Sequence, residues 1–278
     1  MVQLSWAVFG IAFLIGPILG GALLLFGWQW LFFINLPIAI GVIVLGLRLL
    51  PAGSVEAIEQ PSWQQTTLLF QNRQILLVAA LALGAGLSEA VTLFIPSLLV
   101  GAFAVTPSTA SFMLMPMVLA MAVSSPMSGR VLDSRGSRLV VLLGAGLLGI
   151  GLVVEGLFAA NLIIYYLFSV LFGLGMGILL GAALRYIILN EVALAQRATA
   201  QGMLSIAISL GQISGAAAIG AIVSSQGSTA GYTVAFLVSG VVMLLLTGAA
   251  TQLKGRREEL AAMQHHTSAG VSSGEVHG

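Results

Sequence analysis

Residues 9–40 read FGIAFLIGPILGGALLLFGWQWLFFINLPIAI, and no Asp, Glu, Lys or Arg interrupts them. A bilayer core about 30 Å thick takes about 20 apolar residues as a helix. The stretch therefore holds most of one membrane-length run, a turn around Gly27-Trp28-Gln29, and the start of a second. In the first run Gly16 and Gly20 stand four residues apart, which clears one helix face and lets another helix approach closely. Pro17 removes one backbone hydrogen bond and bends the axis. Taken alone, this spacing fits generic helix packing as well as a functional device.

Working outward, the same texture repeats along the chain. Eight apolar runs lie near 4–26, 29–50, 75–100, 108–128, 139–159, 162–184, 199–223 and 230–252. Of the 278 residues, 59% are hydrophobic and 7% charged, with a mean hydropathy of +1.08. A soluble domain carries about 25% charged residues and needs them to cover its surface. A soluble enzyme, a nucleic-acid binder and a disordered tail protein are excluded on that ground. The expected fold class is an all-α, polytopic membrane protein with about eight transmembrane helices and the lipid bilayer as its surroundings. The runs are continuously apolar, unlike the alternating strands of a membrane β-barrel. The first run is too long for a signal-peptide core and has no small-residue cleavage site, so it is read as a retained span.

The chain has no cysteine, and its three histidines, His265, His266 and His277, all fall at the carboxy end. No metal site, disulfide or buried histidine base is expected. The organisation reads as two helices at 1–50, a polar linker at 51–74, six helices at 75–252, and a polar, disordered tail at 253–278.

Charge distribution orients the spans. Arg48, Arg73, Arg130, Arg135, Arg138, Arg185, Arg197, Lys254, Arg256 and Arg257 all fall on one side of the eight-span reading. The alternate connections, near 27–28, 101–107, 160–161 and 224–229, contain no Lys or Arg. Lys and Arg gather in cytoplasmic loops, so both termini are expected in the cytoplasm.

Two motifs go beyond packing. The stretch from Gly16-Pro17 through Gly20-Gly21, followed by Trp28, Trp30, Asn35 and Pro37, resembles the fifth-helix antiporter motif and sixth-helix start of major facilitator superfamily drug exporters. The segment 129–138, GRVLDSRGSR, is similar to that superfamily's loop motif G-x-x-x-D-R-x-G-R-R. Gly129, Asp133, Gly136 and Arg138 agree with it; Ser134 and Ser137 replace two arginines, near which Arg130 and Arg135 supply charge. An acid among several bases where two helices meet the cytoplasm can latch one conformation and release in another. The resemblance covers about residues 1–252.

The resemblance implies a secondary transporter that works by alternating access, with a small-molecule substrate, as in proton-coupled efflux of hydrophobic or cationic compounds. It makes the first two runs equivalent to helices five and six and the next six a complete carboxy-terminal half. Equivalents of helices one to four are then absent, which implies a truncated chain or a partner chain supplying them. Uptake or facilitated transport of another solute, and a non-transporting membrane subunit, are the competing readings. No GxxxxGK[ST] loop occurs, so no nucleotide cofactor is expected and the proton gradient is the energy source. One charge moved through about 100 mV supplies about 2.3 kcal/mol, or roughly a fifty-fold gradient. Inner-membrane placement in a prokaryote follows from the same resemblance.

An ionisable side chain at mid-span costs roughly 2.5–3.5 kcal/mol on insertion scales, so such a residue is a functional candidate by default. Glu89 is the carboxylate well inside a span, flanked by Ser88 and Thr92, with Pro96 following. It is the candidate for proton exchange or for contact with a cationic substrate. Glu155, beside the turn at Asn161, is expected at the membrane interface. Arg185 and Glu191 are expected to pair locally at the membrane surface. The small residues Gly173, Gly177 and Gly181, and Gly211 with Gly215, predict close-packed helix faces. Phe94, Phe103, Phe112, Met113, Met115 and Met117 would suit an adaptable apolar cavity.

Overall fold

The computed structural model describes residues 19, 23, 27, 29–49, 71–158, 161–192, 196–226, 228–256 and 258. The chain divides into two units, Met1–Gln60 and Pro61–Gly278. The expected first span, residues 19 and 23 apart, falls outside the described residues together with Gly16, Pro17, Gly20 and Gly21, as do Trp28, the linker from 51 to 70, and the tail beyond 258.

In the first unit Gly27 takes a positive φ of 121°. Only glycine adopts that conformation cheaply, and the turn it makes leads into a short helix α1 (Trp30–Phe33) and then α2 (Asn35–Leu49). Trp30 and Phe33 meet edge to face at 6.0 Å. Helix α2 is apolar on every side, with Leu36, Ile38, Ile43 and Leu47 all exposed and Arg48 in the last turn. A helix apolar all round belongs in lipid or in a helical bundle.

The second unit is a bundle of helices: α3 (Arg73–Ala90), α4 (Ile95–Phe103), α5 (Pro107–Met113), α6 (Met115–Arg135), α7 (Ser137–Leu157), α8 (Leu162–Ile178), α9 (Leu184–Asn190), α10 (Arg197–Gln226) and α11 (Ser228–Ala250). Among the described residues, six helical stretches are long and apolar enough to cross a bilayer, and Asn35–Arg48 is a shorter apolar helix. The expected all-α helix bundle is therefore what the chain forms.

Boundaries follow local chemistry. The Asn72 side chain accepts from the Gln74 amide and starts α3; Asn161 does the same for Ile163 and Ile164 at the start of α8. Such caps satisfy amides that no helical carbonyl reaches. Pro96 and Pro116 each sit in the first turn of a helix, α4 and α6. Proline fits there because the first-turn amides have no intrahelical partner. The two expected runs 75–100 and 108–128 are thus each broken, by a 3₁₀ turn at Val91–Leu93 and by Leu114. The expected run 162–184 extends to Asn190 through a π turn at Leu179–Ala183.

Two expectations need correction. Segment 129–138 is not a ten-residue loop: Gly129, Arg130, Asp133 and Arg135 lie in the last turns of α6, Gly136 alone joins α6 to α7, and Arg138 is in the first turn of α7. Gly136 has φ 86° and ψ 165°, which lets two long helices reverse direction in one residue. The tail does not begin at 253, because Leu253 is buried and Lys254 is tied to the bundle by an ion pair.

Small residues set the packing, since lipid offers helices no hydrophobic drive to associate and dispersion contacts must serve. A Cβ at Gly211 would overlap the Leu83 carbonyl, and one at Gly86 the Ile208 carbonyl, so α3 and α10 touch backbone to backbone. Gly173, Gly177 and Gly181 meet Met117, Met121 and Ser125 of α6 in the same way. Both expected small-residue faces are therefore helix–helix seams. Gly149, Gly156 and Gly240 bring α7 against α11. Between these seams lies a ring cluster, with Phe168 5.2 Å from Phe172 and stacked at 6.2 Å on Phe236.

Candidate functional site

Glu89 sits in the last turn of α3, immediately before the helix gives way to the 3₁₀ turn. Thr92 Oγ1 donates to the Glu89 carbonyl at 2.7 Å, and buried Ser88 Oγ donates to the Gly84 carbonyl at 2.9 Å. These local bonds take up carbonyls where the ladder changes pitch. The Glu89 side chain is half-buried and lies beside the Gln212 side chain of α10. Gln212 comes within reach because Gly86, Gly211 and Gly215 let α3 and α10 close on each other. Glu89 thus joins a broken helix, a close seam and a neutral polar partner. Such a carboxyl can exchange a proton or take up a cation. Pro96 contributes as expected, by starting α4 after the break.

In the second unit, Arg73 and Lys254 belong to one polar cluster. Asn72 Nδ2 donates to Glu191 Oε2 at 3.1 Å, and Lys254 Nζ meets Glu191 Oε1 at 2.6 Å. Gln74 receives the Lys254 amide at 3.1 Å and donates to the Gln252 carbonyl at 3.3 Å, while Arg73 donates to the Gln252 side chain. The start of α3, the end of α9 and the residues after α11 are therefore clasped together. Glu191 was expected to pair with Arg185; it pairs instead with Lys254, and Arg185 is exposed. A local pattern could not show this, because the partners lie 63 residues apart. Arg130, Arg135 and Arg138 are all exposed around Gly136, and the side chain of Asp133 falls outside the described residues.

Glu155 also departs from expectation. It is not interfacial but wholly buried, 0% exposed, between α7 and its neighbours. Sequence position alone suggested the surface, because Glu155 is two residues from the end of α7. Burial was decided by Gly156, which lets α11 close over that turn, and by α8, which packs against the Gly151 face at ordinary contact distance.

A half-open apolar cavity of about 160 Å³ lies among α6, α7 and α8, lined by Ser124, Met127, Val131, Leu143, Leu174 and Ile178 among others. None of the phenylalanines or methionines expected to form a cavity lines it. Of those, Met113 is buried and Phe112 exposed.

Comparison with known proteins agrees with this architecture. The family described as Major Facilitator Superfamily matches residues 6–100 and 78–262. The multidrug efflux pump SdrM of Staphylococcus aureus is 58% identical over 40 residues, 14% of this chain and 9% of that protein. An MFS-type transporter of Mycobacterium tuberculosis, uncharacterised, is 44% identical over 50 residues, 17% of this chain and 9% of that protein. The matched stretches thus span 9% of the length of each relative. The two family matches together cover the described helices of both units, and with six bilayer-length helices they make this chain a multi-pass membrane member of the Major Facilitator Superfamily of transporters.

Proposed function

We propose that the chain acts in proton-coupled efflux of hydrophobic or cationic small molecules by alternating access. The observation that carries this reading is Glu89: a half-buried carboxyl on a broken helix, beside Gln212 across the α3–α10 seam. A proton and a cation compete for one carboxylate, and that competition is the simplest coupling between an inward proton and an outward drug. The short likeness to a multidrug efflux pump supports the export direction. The membrane is the cytoplasmic membrane, and the basic end of the bundle faces the cytoplasm, following the enrichment of Lys and Arg in cytoplasmic loops. Arg130, Arg135 and Arg138, beside the Gly136 reversal, form the gate at that end, and Gly16, Pro17, Gly20 and Gly21 serve as the antiporter motif.

The test is efflux of a fluorescent lipophilic cation from vesicles carrying the chain, with and without an imposed proton gradient. Gradient-dependent efflux that falls sharply in Glu89→Gln is the expected result. Normal coupled efflux by Glu89→Gln removes Glu89 from the role, and no efflux under any gradient removes the reading.

A further inference from the structure

Glu155 is the one carboxylate on α7, and both its side-chain oxygens are buried with no hydrogen-bond partner among the described residues. The helix register shows why. Gly144 of α7 lies against Ile178 of α8, and Gly151 against Leu171 and Phe172. Continuing this antiparallel register by one turn brings Glu155 level with Leu167 and Phe168, less than a turn from Tyr165, which lies within electrostatic reach of it. On the other side Gly149 lies against Leu244 of α11 and Gly156 against Leu237, which places Glu155 level with Ser239. Both neighbouring donors are already spent: Tyr165 Oη donates to the Met113 carbonyl at 3.0 Å, and Ser239 Oγ to the Ala235 carbonyl at 2.8 Å. The other polar groups on these faces are Tyr166, which is exposed, the buried Ser169, and half-buried Tyr232. Helices α8 and α11 contain no Lys, Arg, His, Asp or Glu, and the one basic residue of α7, Arg138, is in its first turn at the opposite end.

An ionised carboxylate with no hydrogen bond and no counter-charge is not sustained in such a place. We propose that Glu155 is a proton-binding site inside the six-helix unit, distinct from Glu89, and that Tyr165 is its switch. With its proton, Glu155 is a neutral acid packed between α7, α8 and α11, and Tyr165 holds the end of α5 through Met113. When the proton leaves, the Tyr165 hydroxyl turns from the Met113 carbonyl to the carboxylate. No covalent bond changes apart from the O–H given up to water, and the tie between α8 and α5 is released. The proton's loading is thereby coupled to the packing of the end of the bundle opposite the arginines. Because both carboxyl oxygens are buried and α11 closes on Gly156 too tightly for even a Cβ, release requires these helices to part. Proton binding at Glu155 therefore follows the conformational state of this end.

The inference does not rest on efflux, since its readout is the proton itself. Infrared difference spectra on the full chain in lipid vesicles, recorded between acid and alkaline buffer, test it. The expected result is a protonated-carboxyl C=O band that rises and falls reversibly with pH, persists in Glu89→Gln, is lost in Glu155→Gln and disappears only at higher pH in Tyr165→Phe, where the carboxylate lacks its donor. A band unchanged in Glu155→Gln, or no titrating band beyond that of Glu89, overturns the site; a titration midpoint unmoved in Tyr165→Phe overturns the switch. If Glu155→Gln does not reach the membrane, the unmodified chain is treated with an apolar carbodiimide, which captures protonated carboxyls, and its peptides are weighed. An adduct on Glu155 that declines in alkaline buffer supports the site. Adducts on Glu89 alone overturn it. A chain that binds this proton yet moves no drug would keep the site and discard the efflux reading.

Discussion

Glu89 and Glu155 are the same side chain in two unlike surroundings. Glu89 lies where α3 breaks, half-buried, with Gln212 to accept or donate. Glu155 lies on an unbroken helix, fully buried and without a hydrogen bond, while the Tyr165 and Ser239 hydroxyls are bonded to backbone carbonyls. The break loosens the first and leaves it open to a ligand. The close packing of α7 with α8 and α11 seals the second, so that a proton reaches or leaves it only as those helices part. Depth along a span therefore says less about an ionisable group than the continuity of its helix and the size of the residues opposite.

The comparison is broken most forcefully by a permanent charge. Glu155→Lys leaves an uncompensated charge in a sealed site and should destabilise the bundle by about 3–5 kcal/mol. Glu89→Lys, at a half-buried position beside Gln212, should lose far less. Thermal unfolding of the solubilised protein measures both, and equal losses would mean the two surroundings do not differ. Next in size is the seam that shapes the Glu89 site. Gly211→Val drives a side chain into the Leu83 carbonyl and should cost about 1–3 kcal/mol. Gly202→Val, where a Cβ meets nothing within 4 Å, should stay within about 0.5 kcal/mol.

Function sharpens the contrast further. Glu89→Gln should reduce proton-driven efflux at least about tenfold, equivalent to about 1.4 kcal/mol, with the unfolding midpoint unchanged; a shifted midpoint with intact efflux would reverse its assignment. The smallest effect belongs to the basic-end clasp, remote from both carboxylates. The Lys254–Glu191 pair is part-exposed, at 35% and 13%. Lys254→Ala should lower stability by no more than about 1 kcal/mol, and added salt should shrink that difference. A larger loss, insensitive to salt, would mean the clasp holds the bundle shut as firmly as the glycine seams do.

Much of this was legible from residues alone. Uninterrupted apolar runs predicted the helices because backbone amides in lipid must bond within their own segment. Gly173, Gly177 and Gly181 predicted a seam because a four-residue repeat clears one helix face, and the seam is there against α6. The helix break near Glu89 was announced by Pro96. Less legible was the segment around Asp133. Its polar residues read as a loop, yet a helix can end in water as well as in lipid, and the reversal needs only Gly136.

The fate of the charged groups was decided elsewhere. Periodicity shows that Glu155 sits on a helix near its end, but not which neighbours close over it. Nor does it show that Glu191 finds Lys254 instead of Arg185. The helices, their membrane character and the family follow from residue order, because hydropathy and backbone bonding act locally. Which carboxyl is open, which is sealed and which is clasped follows from packing. Burial and partnership depend on side chains that are distant along the chain and are brought together by glycine contacts between helices.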